Sequence, residues 1–268
     1  MRPFLKWAGG KYRLLNRIVP LLPEGNRLVE PFVGSGSVFL NTDYEDYLCC
    51  DSNADLISLY TQLQDEGEQF IAYARAFFTP ENNQKEKYLE WRHVFNSTSH
   101  TRLKAALFLY LNRHGFNGLC RYNQSGGFNV PFGSYAKPYF PEEELLSFLN
   151  KLKNAQVEFK TQSFEKTFSD VQAGDVIYCD PPYVALSSTA NFTSYATNSF
   201  GENQQQDLAQ LANNASKNNI PVIISNHHTP LTVALYRHAQ IQTFDVQRSI
   251  SCIGDKRNKA SELLALFA

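Results

Sequence analysis

Seven short runs rich in β-branched and aromatic residues recur along the 268-residue chain: RLVEPFV, DYLCCD, VEFKTQ, DVIYCD, PVIISN, IQTFDVQ and ELLALF. Most are separated by segments with helical spacing of apolar residues, such as DLISLYTQLQDEGEQFIAYARAFF and EEELLSFLNKLKN. Strands that alternate with helices imply a mostly parallel sheet covered on both faces, so the expected fold class is α/β. One interval breaks the alternation. Between DYLCCD and VEFKTQ lie roughly a hundred residues with no clear buried strand, too many for a simple crossover. Within it, RLKAALFLYLNRHG puts Leu103, Leu107 and Leu111 on one helical face, and a Gly-, Asn- and aromatic-rich stretch, NGLCRYNQSGGFNVPFGSYAKPYFP, follows. Residues 55–144 are therefore expected to form a helical insertion with a loop-rich functional edge, and residues 1–54 with 145–268 the domain that carries the sheet.

A chain of this length buries a full core and suits one large domain or a domain plus an insertion. No apolar run approaches the length of a membrane span, and the opening MRPFLKWAGGK is too polar and Gly-broken for a signal-peptide core. The five cysteines, Cys49, Cys50, Cys120, Cys179 and Cys252, show no CxxC pairing. Reduced structural thiols in a cytoplasmic protein are expected, with no metal site and no membrane partner. The net charge is only −1, but it is unevenly placed. From Gln84 to Lys137 eight Lys or Arg face two Glu, a balance of +6, whereas Asn41 to Phe70 carries eight Asp or Glu and no Lys or Arg. Either stretch alone reads as a solvated helix face. Together they suit an anion-binding module inside a near-neutral chain.

Three constellations carry chemistry. In VEPFVGSGSVFLN a strand is expected to end at Val33, with Gly34 and Gly36 in a tight turn and a helix starting near Ser37. Asp51 ends the next strand, where a carboxylate can accept hydrogen bonds from ribose hydroxyls, although the spacing does not fit GxGxxG. In FLKWAGGK, Trp7 stacks on a ligand or fills the core, and its lysines attract a carboxylate or face water. The third is GDVIYCDPPYVAL, in which a buried strand stops on Asp180-Pro181-Pro182-Tyr183. Two prolines remove backbone donors and fix φ, so the chain is stiff and its carbonyls stay free to accept. Asp180 with a proline carbonyl can take both hydrogens of an exocyclic NH2, while Tyr183 offers a flat surface to the ring that bears it.

In that order, and with a long insertion before DPPY, these motifs resemble the Dam family of DNA adenine-N6 methyltransferases. NGLCRYN, FNVPFG, KPYF and TANFT strengthen the likeness, which covers nearly the whole chain. The resemblance implies a Rossmann-like S-adenosylmethionine-dependent methyltransferase sheet with an inserted helical target-recognition domain. It implies S-adenosylmethionine as methyl donor, a flipped adenine as acceptor, double-stranded DNA as partner, GATC as the usual target, and a cytoplasmic monomer. By position, Trp7, Lys11, Phe32, Gly34, Asp51 and Asp180 resemble cofactor contacts, and Asp180, Pro181, Pro182 and Tyr183 the catalytic tetrapeptide. Lys6, Asn117, Leu119, Arg121, Pro131 and Tyr135 resemble DNA-reading or duplex-wedging positions. The chain departs from the pattern at Phe116, where relatives often carry tyrosine, and at Ser134 and Ala136, in a turn expected to be more basic.

Competing readings lose on specific residues. A cytosine-C5 methyltransferase needs a cysteine nucleophile, usually after proline, and no Pro-Cys pair exists. Protein-glutamine and RNA enzymes typically carry Asn where Asp180 stands, or lack the insertion, and a nicotinamide dehydrogenase has no use for DPPY. A non-catalytic DNA-binding module leaves the nucleoside-like site idle. Cytosine-N4 methyltransferases remain the near alternative, since they methylate another exocyclic amine.

Overall fold

The computed structural model describes residues 1–183, 200–247 and 259–268; the TANFTSYATNS stretch and Cys252 lie outside them. Every strand-like run falls in a strand: β1 (Arg27–Glu30), β2 (Asp46–Asp51), β3 (Gln156–Thr161), β4 (Asp175–Cys179), β5 (Val222–His227), β6 (Gln240–Gln247) and β7 (Lys259–Phe267). They form one sheet in the order β3-β2-β1-β4-β5-β7-β6. Strands β1 to β5 run parallel, and β7 lies antiparallel between β5 and β6.

Side chains alternate across this sheet with the two-residue period of a strand. Leu28, Tyr47, Cys49, Val176, Tyr178 and Ile223 enter one apolar cluster. Their neighbours Val29, Leu48, Cys50, Ile177, Cys179 and Ile224 enter the other. Both faces are covered, which is why these strands read as continuous apolar runs rather than alternating ones. The short α1 (Leu15–Ile18) adds Ile18 to the first cluster. Helices α2 (Ala54–Glu66) and α6 (Glu142–Lys153) also pack on the first face, while α3 (Glu68–Arg75) and α5 (Thr101–His114) pack on α2, and α4 (Lys85–Ser97) on α5, extending the same cluster. The second carries α7 (Phe164–Ser169) and α8 (Glu202–Lys217), with α9 (Pro230–Leu235) beside them. Among the described residues no helix is long and apolar enough to cross a membrane.

Two local expectations need correction. The strand expected to reach Val33 ends at Glu30, because Pro31 has no N–H to extend the ladder, although Val33 N still donates to the Cys50 carbonyl at 2.8 Å. The helix expected from Ser37 shrinks to a 3-10 turn, Phe39–Asn41. Asn41 Nδ2 and Thr42 Oγ1 donate to the carbonyls of Ser37 and Val38 at 2.8 and 3.0 Å, taking acceptors a longer helix would use.

The chain leaves β1 for β2 on one side and returns to β4 on the other, so the strand order reverses between β1 and β4. In a doubly wound sheet the ligand crevice lies at the carboxyl ends of the strands at that reversal.

Candidate active site

A cavity of about 690 Å³ opens there, and every residue expected at the cofactor site or in the catalytic tetrapeptide lines it: Trp7, Lys11, Phe32, Gly34, Asp51, Asp180, Pro181, Pro182 and Tyr183. Leu119, expected at the DNA, lies on the same wall.

The turn after β1 explains why glycine is needed. Gly34 has φ +48°, and a Cβ there would sit 2.8 Å from Trp7 Nε1. Trp7 therefore packs directly on bare backbone, which only glycine permits. The Gly34 N–H donates to Asp51 Oδ2 at 3.1 Å, and Asn53 N donates to Oδ1 at 2.9 Å. Burial raises the Asp51 carboxyl above its ordinary range, opposed by those N–H groups. A carboxylate so fixed beside a flat indole suits a nucleoside. Phe32 stacks on Phe164 at 5.6 Å and meets Phe200 edge-on at 5.5 Å, closing the far side.

At the end of β4, Asp180 pairs with Lys11: Nζ to Oδ1 is 2.6 Å, with the lysine side chain 6% exposed. Lys11 also donates to the Gly9 carbonyl at 2.6 Å and lies 4.5 Å from the Tyr183 ring centroid. Ser225 Oγ donates to the same Asp180 oxygen at 3.0 Å. Burial pushes the Asp180 carboxyl up; Lys11 and then Ser225 oppose the rise. Both bonds use Oδ1, and among the described residues no donor is bonded to Oδ2. Tyr183 donates its hydroxyl to Glu262 Oε2 at 3.1 Å and meets the His227 ring edge-on at 4.7 Å. Burial, with the charges of Asp180 and Glu262, keeps the Tyr183 phenol protonated.

Glu30 is the residue that sequence reasoning missed most plainly. It is 2% exposed, lines the cavity, and its Oε1 has no hydrogen-bond partner among the described residues. Burial lifts its carboxyl from 4.5 to about 8; the Phe39 backbone N–H opposes this and the nearby Asp180 adds to it. The available signal was an acid directly before proline at the end of an apolar strand. The folded protein holds this proton between roughly pH 4.5 and 8 while the unfolded chain has lost it, so Glu30 costs stability increasingly as pH rises through that window. Glu30→Gln is expected to raise the melting temperature of the ligand-free protein by a few degrees at pH 8 and hardly at pH 5. Thermal melts across that range decide it; a gap that does not widen with pH would place the strain elsewhere.

Ser225, Gln205 and Glu262 were also missed. Ser225 had a faint signal, the polar Ser-Asn-His ending of an otherwise apolar β5 run. Gln205 sits on α8 in a run of three glutamines, where nothing singles it out.

The residues expected at DNA fall into two groups around the loop after α5. Lys6, Asn117 and Tyr135 meet: the Lys6 ammonium lies 4.1 Å from the Tyr135 ring centroid, and the Tyr135 hydroxyl accepts from Asn117 N at 2.8 Å. Burial and the charge of Arg113 hold the Lys6 ammonium below its ordinary pKa. Gly118, at φ +63°, packs so closely that a Cβ would stand 2.2 Å from Lys6 Cβ. Asn112 ties both segments, donating to the carbonyls of Lys6 and Gly118 at 2.8 and 3.2 Å. Arg121 stands apart and exposed, with Nε donating to Asn129 Oδ1 at 2.7 Å and Nη2 to the Asn129 carbonyl at 3.1 Å. Pro131 is exposed, and its carbonyl accepts from Phe116 N at 2.9 Å. The same loop is anchored to the start of α2, where the Tyr122 hydroxyl donates to Asp55 Oδ2 at 2.8 Å.

Residues 7–250 match the family model of D12 class N6 adenine-specific DNA methyltransferases. A DNA adenine methylase of Vibrio cholerae serotype O1 is 55% identical over 267 residues, covering 99% of this chain and 96% of that protein. The DNA adenine methylases of Salmonella typhi and of Escherichia coli K12 are each 52% identical over 266 residues, covering 99% of this chain and 95% of theirs.

Proposed function

The chain belongs to the D12 class N6 adenine-specific DNA methyltransferases, and from that membership we propose that it methylates a flipped adenine in GATC duplex DNA with S-adenosylmethionine as donor. The observation that carries the site assignment is the meeting of Asp180-Pro181-Pro182-Tyr183 with Trp7, Lys11, Gly34 and Asp51 around one cavity at the sheet's reversal. When bound, the donor supplies a methyl carbon already activated on a sulfonium sulfur. The residues fit it: a flat indole, the Asp51 carboxylate for ribose hydroxyls, and at Glu30 a buried unpartnered oxygen for a cationic tail.

Asp180 Oδ2 and the Pro181 carbonyl take the two amine hydrogens, and no described donor occupies either. Tyr183 supplies the stacking face. Held so, the amine nitrogen turns its lone pair toward the cofactor side, and alignment does most of the work. The Asp180 carboxylate stabilises the positive charge that develops on nitrogen. Lys11 favours the ionised form of that carboxyl against the rise that burial imposes.

Residues 55–144 present the DNA-reading edge. Leu119 on the cavity wall is placed to fill the gap left by the extruded base, offsetting an unstacking cost of roughly a few kcal/mol. The balance of +6 between Gln84 and Lys137 suits the phosphate backbone. The protein acts as a monomer, in the compartment that holds the DNA.

The test is transfer of a labelled methyl group to unmethylated plasmid, followed by hydrolysis and by digestion with enzymes sensitive or blind to adenine methylation in GATC. N6-methyladenine with protection of GATC is the expected result. Label in cytosine would move the chain to the N4 class, and adenine label without GATC protection would leave the activity and remove the target.

A further inference from the structure

Three polar side chains lie fully inside the second apolar cluster: Gln205 on α8 at 1% exposure, Asn226 on β5 at 0% and Tyr236 after α9 at 0%. Buried polar groups are retained only where each finds a partner, and these find one another. Asn226 Nδ2 donates to Gln205 Oε1 and to the Tyr236 hydroxyl, both at 3.0 Å, and Asn226 Oδ1 accepts from His227 N at 2.9 Å. These bonds fix which way each amide points. With its oxygen turned to Asn226, Gln205 must aim its NH2 elsewhere, and Nε2 donates to the Pro182 carbonyl at 2.8 Å.

That bond reaches the tetrapeptide at a place that has few other anchors. Pro181 and Pro182 carry no N–H, so their backbone can be held only through its carbonyls. We propose that Gln205, Asn226 and Tyr236 form a positioning network that pins the Pro182 carbonyl, so that the Pro181 carbonyl, together with Asp180, is the one presented to the acceptor amine. The inference rests on the assignment of Asp180 to Tyr183 as the catalytic stretch. None of the three residues touches substrate; they act through the backbone of the two prolines. Replacing the network with apolar side chains would fill the same space, and it would leave the peptide between β4 and the acceptor free to rotate its carbonyls.

Gln205→Met keeps the length of the side chain and removes the N–H that the Pro182 carbonyl accepts. The single-turnover methyl-transfer rate is expected to fall roughly 10- to 100-fold, the loss typical of a slightly misplaced reacting group. Cofactor affinity, read by calorimetry, should stay within about twofold, as none of the three residues lines the cofactor wall. Asn226→Ala should act through the same bond, so the double variant should be no slower than the worse single variant. Tyr236→Phe repeats the test without altering Gln205 itself and should slow transfer in the same direction. A target-site 2-aminopurine should still brighten on binding each variant, because extrusion of the base precedes the step affected. Unchanged rates in variants with lowered melting temperatures would make the network purely structural, and additive losses would break the proposed chain. If Asp180→Asn were fully active as well, the assignment of the tetrapeptide would fall instead.

Discussion

Asp180→Asn is expected to slow methyl transfer on the order of 10²–10³-fold, the range for removing one preorganised charge-stabilising group. The variant keeps the shape and the acceptor oxygen but loses the charge, so the amine can still be held while its developing positive charge goes unmet. A second effect follows from Lys11, whose 2.6 Å partner disappears. An amide cannot neutralise a lysine side chain that is 6% exposed, and breaking a buried pair from one side typically costs about 3–5 kcal/mol. The melting temperature should therefore drop with the rate. Lys11→Met in the same chain should recover much of the stability and none of the activity, which separates the electrostatic role from the structural one. Single-turnover rates and thermal melts on the parent and the two variants settle the matter. A single variant within tenfold of the parent would show that the charge on Asp180 is dispensable.

Arg121→Ala is expected to erase discrimination at one guanine of the target, by about 1–3 kcal/mol for a bidentate contact to O6 and N7. The structure adds a reason to choose this arginine. Of the five N–H donors in a guanidinium, Asn129 takes two, at 2.7 and 3.1 Å, which orients the fork and leaves the rest for a base edge. Lys6, in contrast, is partly buried against Tyr135 and suits positioning. The comparison is kcat/KM for GATC and its single-base variants, parent against Arg121→Ala, at two salt concentrations. Loss confined to the cognate site marks base reading. A uniform loss, with the salt slope reduced by about one counterion, would make Arg121 a phosphate contact and move base reading elsewhere in the loop. Asn129→Ala should give a weaker version of the same collapse, since it frees the arginine without removing it.

How far the sequence reached can be judged residue by residue. The strands were legible because burial on both faces leaves an apolar run in the sequence itself, and DVIYCD remains so up to its terminal acid. The antiparallel pairing of β7 with β5 was not legible, because ELLALF reads the same whichever way it runs. Asp180 announced itself through the two prolines beside it. Lys11 was singled out by the family resemblance, but not its ion pair with Asp180, since a lysine near residue 10 looks solvated until the fold brings it to the end of β4. Glu30 and Gln205 depend likewise on distant partners, or on their absence, which local pattern does not encode.

The packing of Gly118 against Lys6, with Asn112 bonded to both, has a practical consequence for chimera design. The loop that would be exchanged to change target preference is not a self-contained cassette. Its geometry is moulded on residues roughly a hundred positions earlier in the primary sequence, and those residues continue within a few positions to Trp7 and Lys11. A swap of residues 115–137 between relatives that differ near Lys6 would set a foreign loop on a mismatched bed. The exchange unit is two separated segments, 4–11 and 115–137, transplanted together.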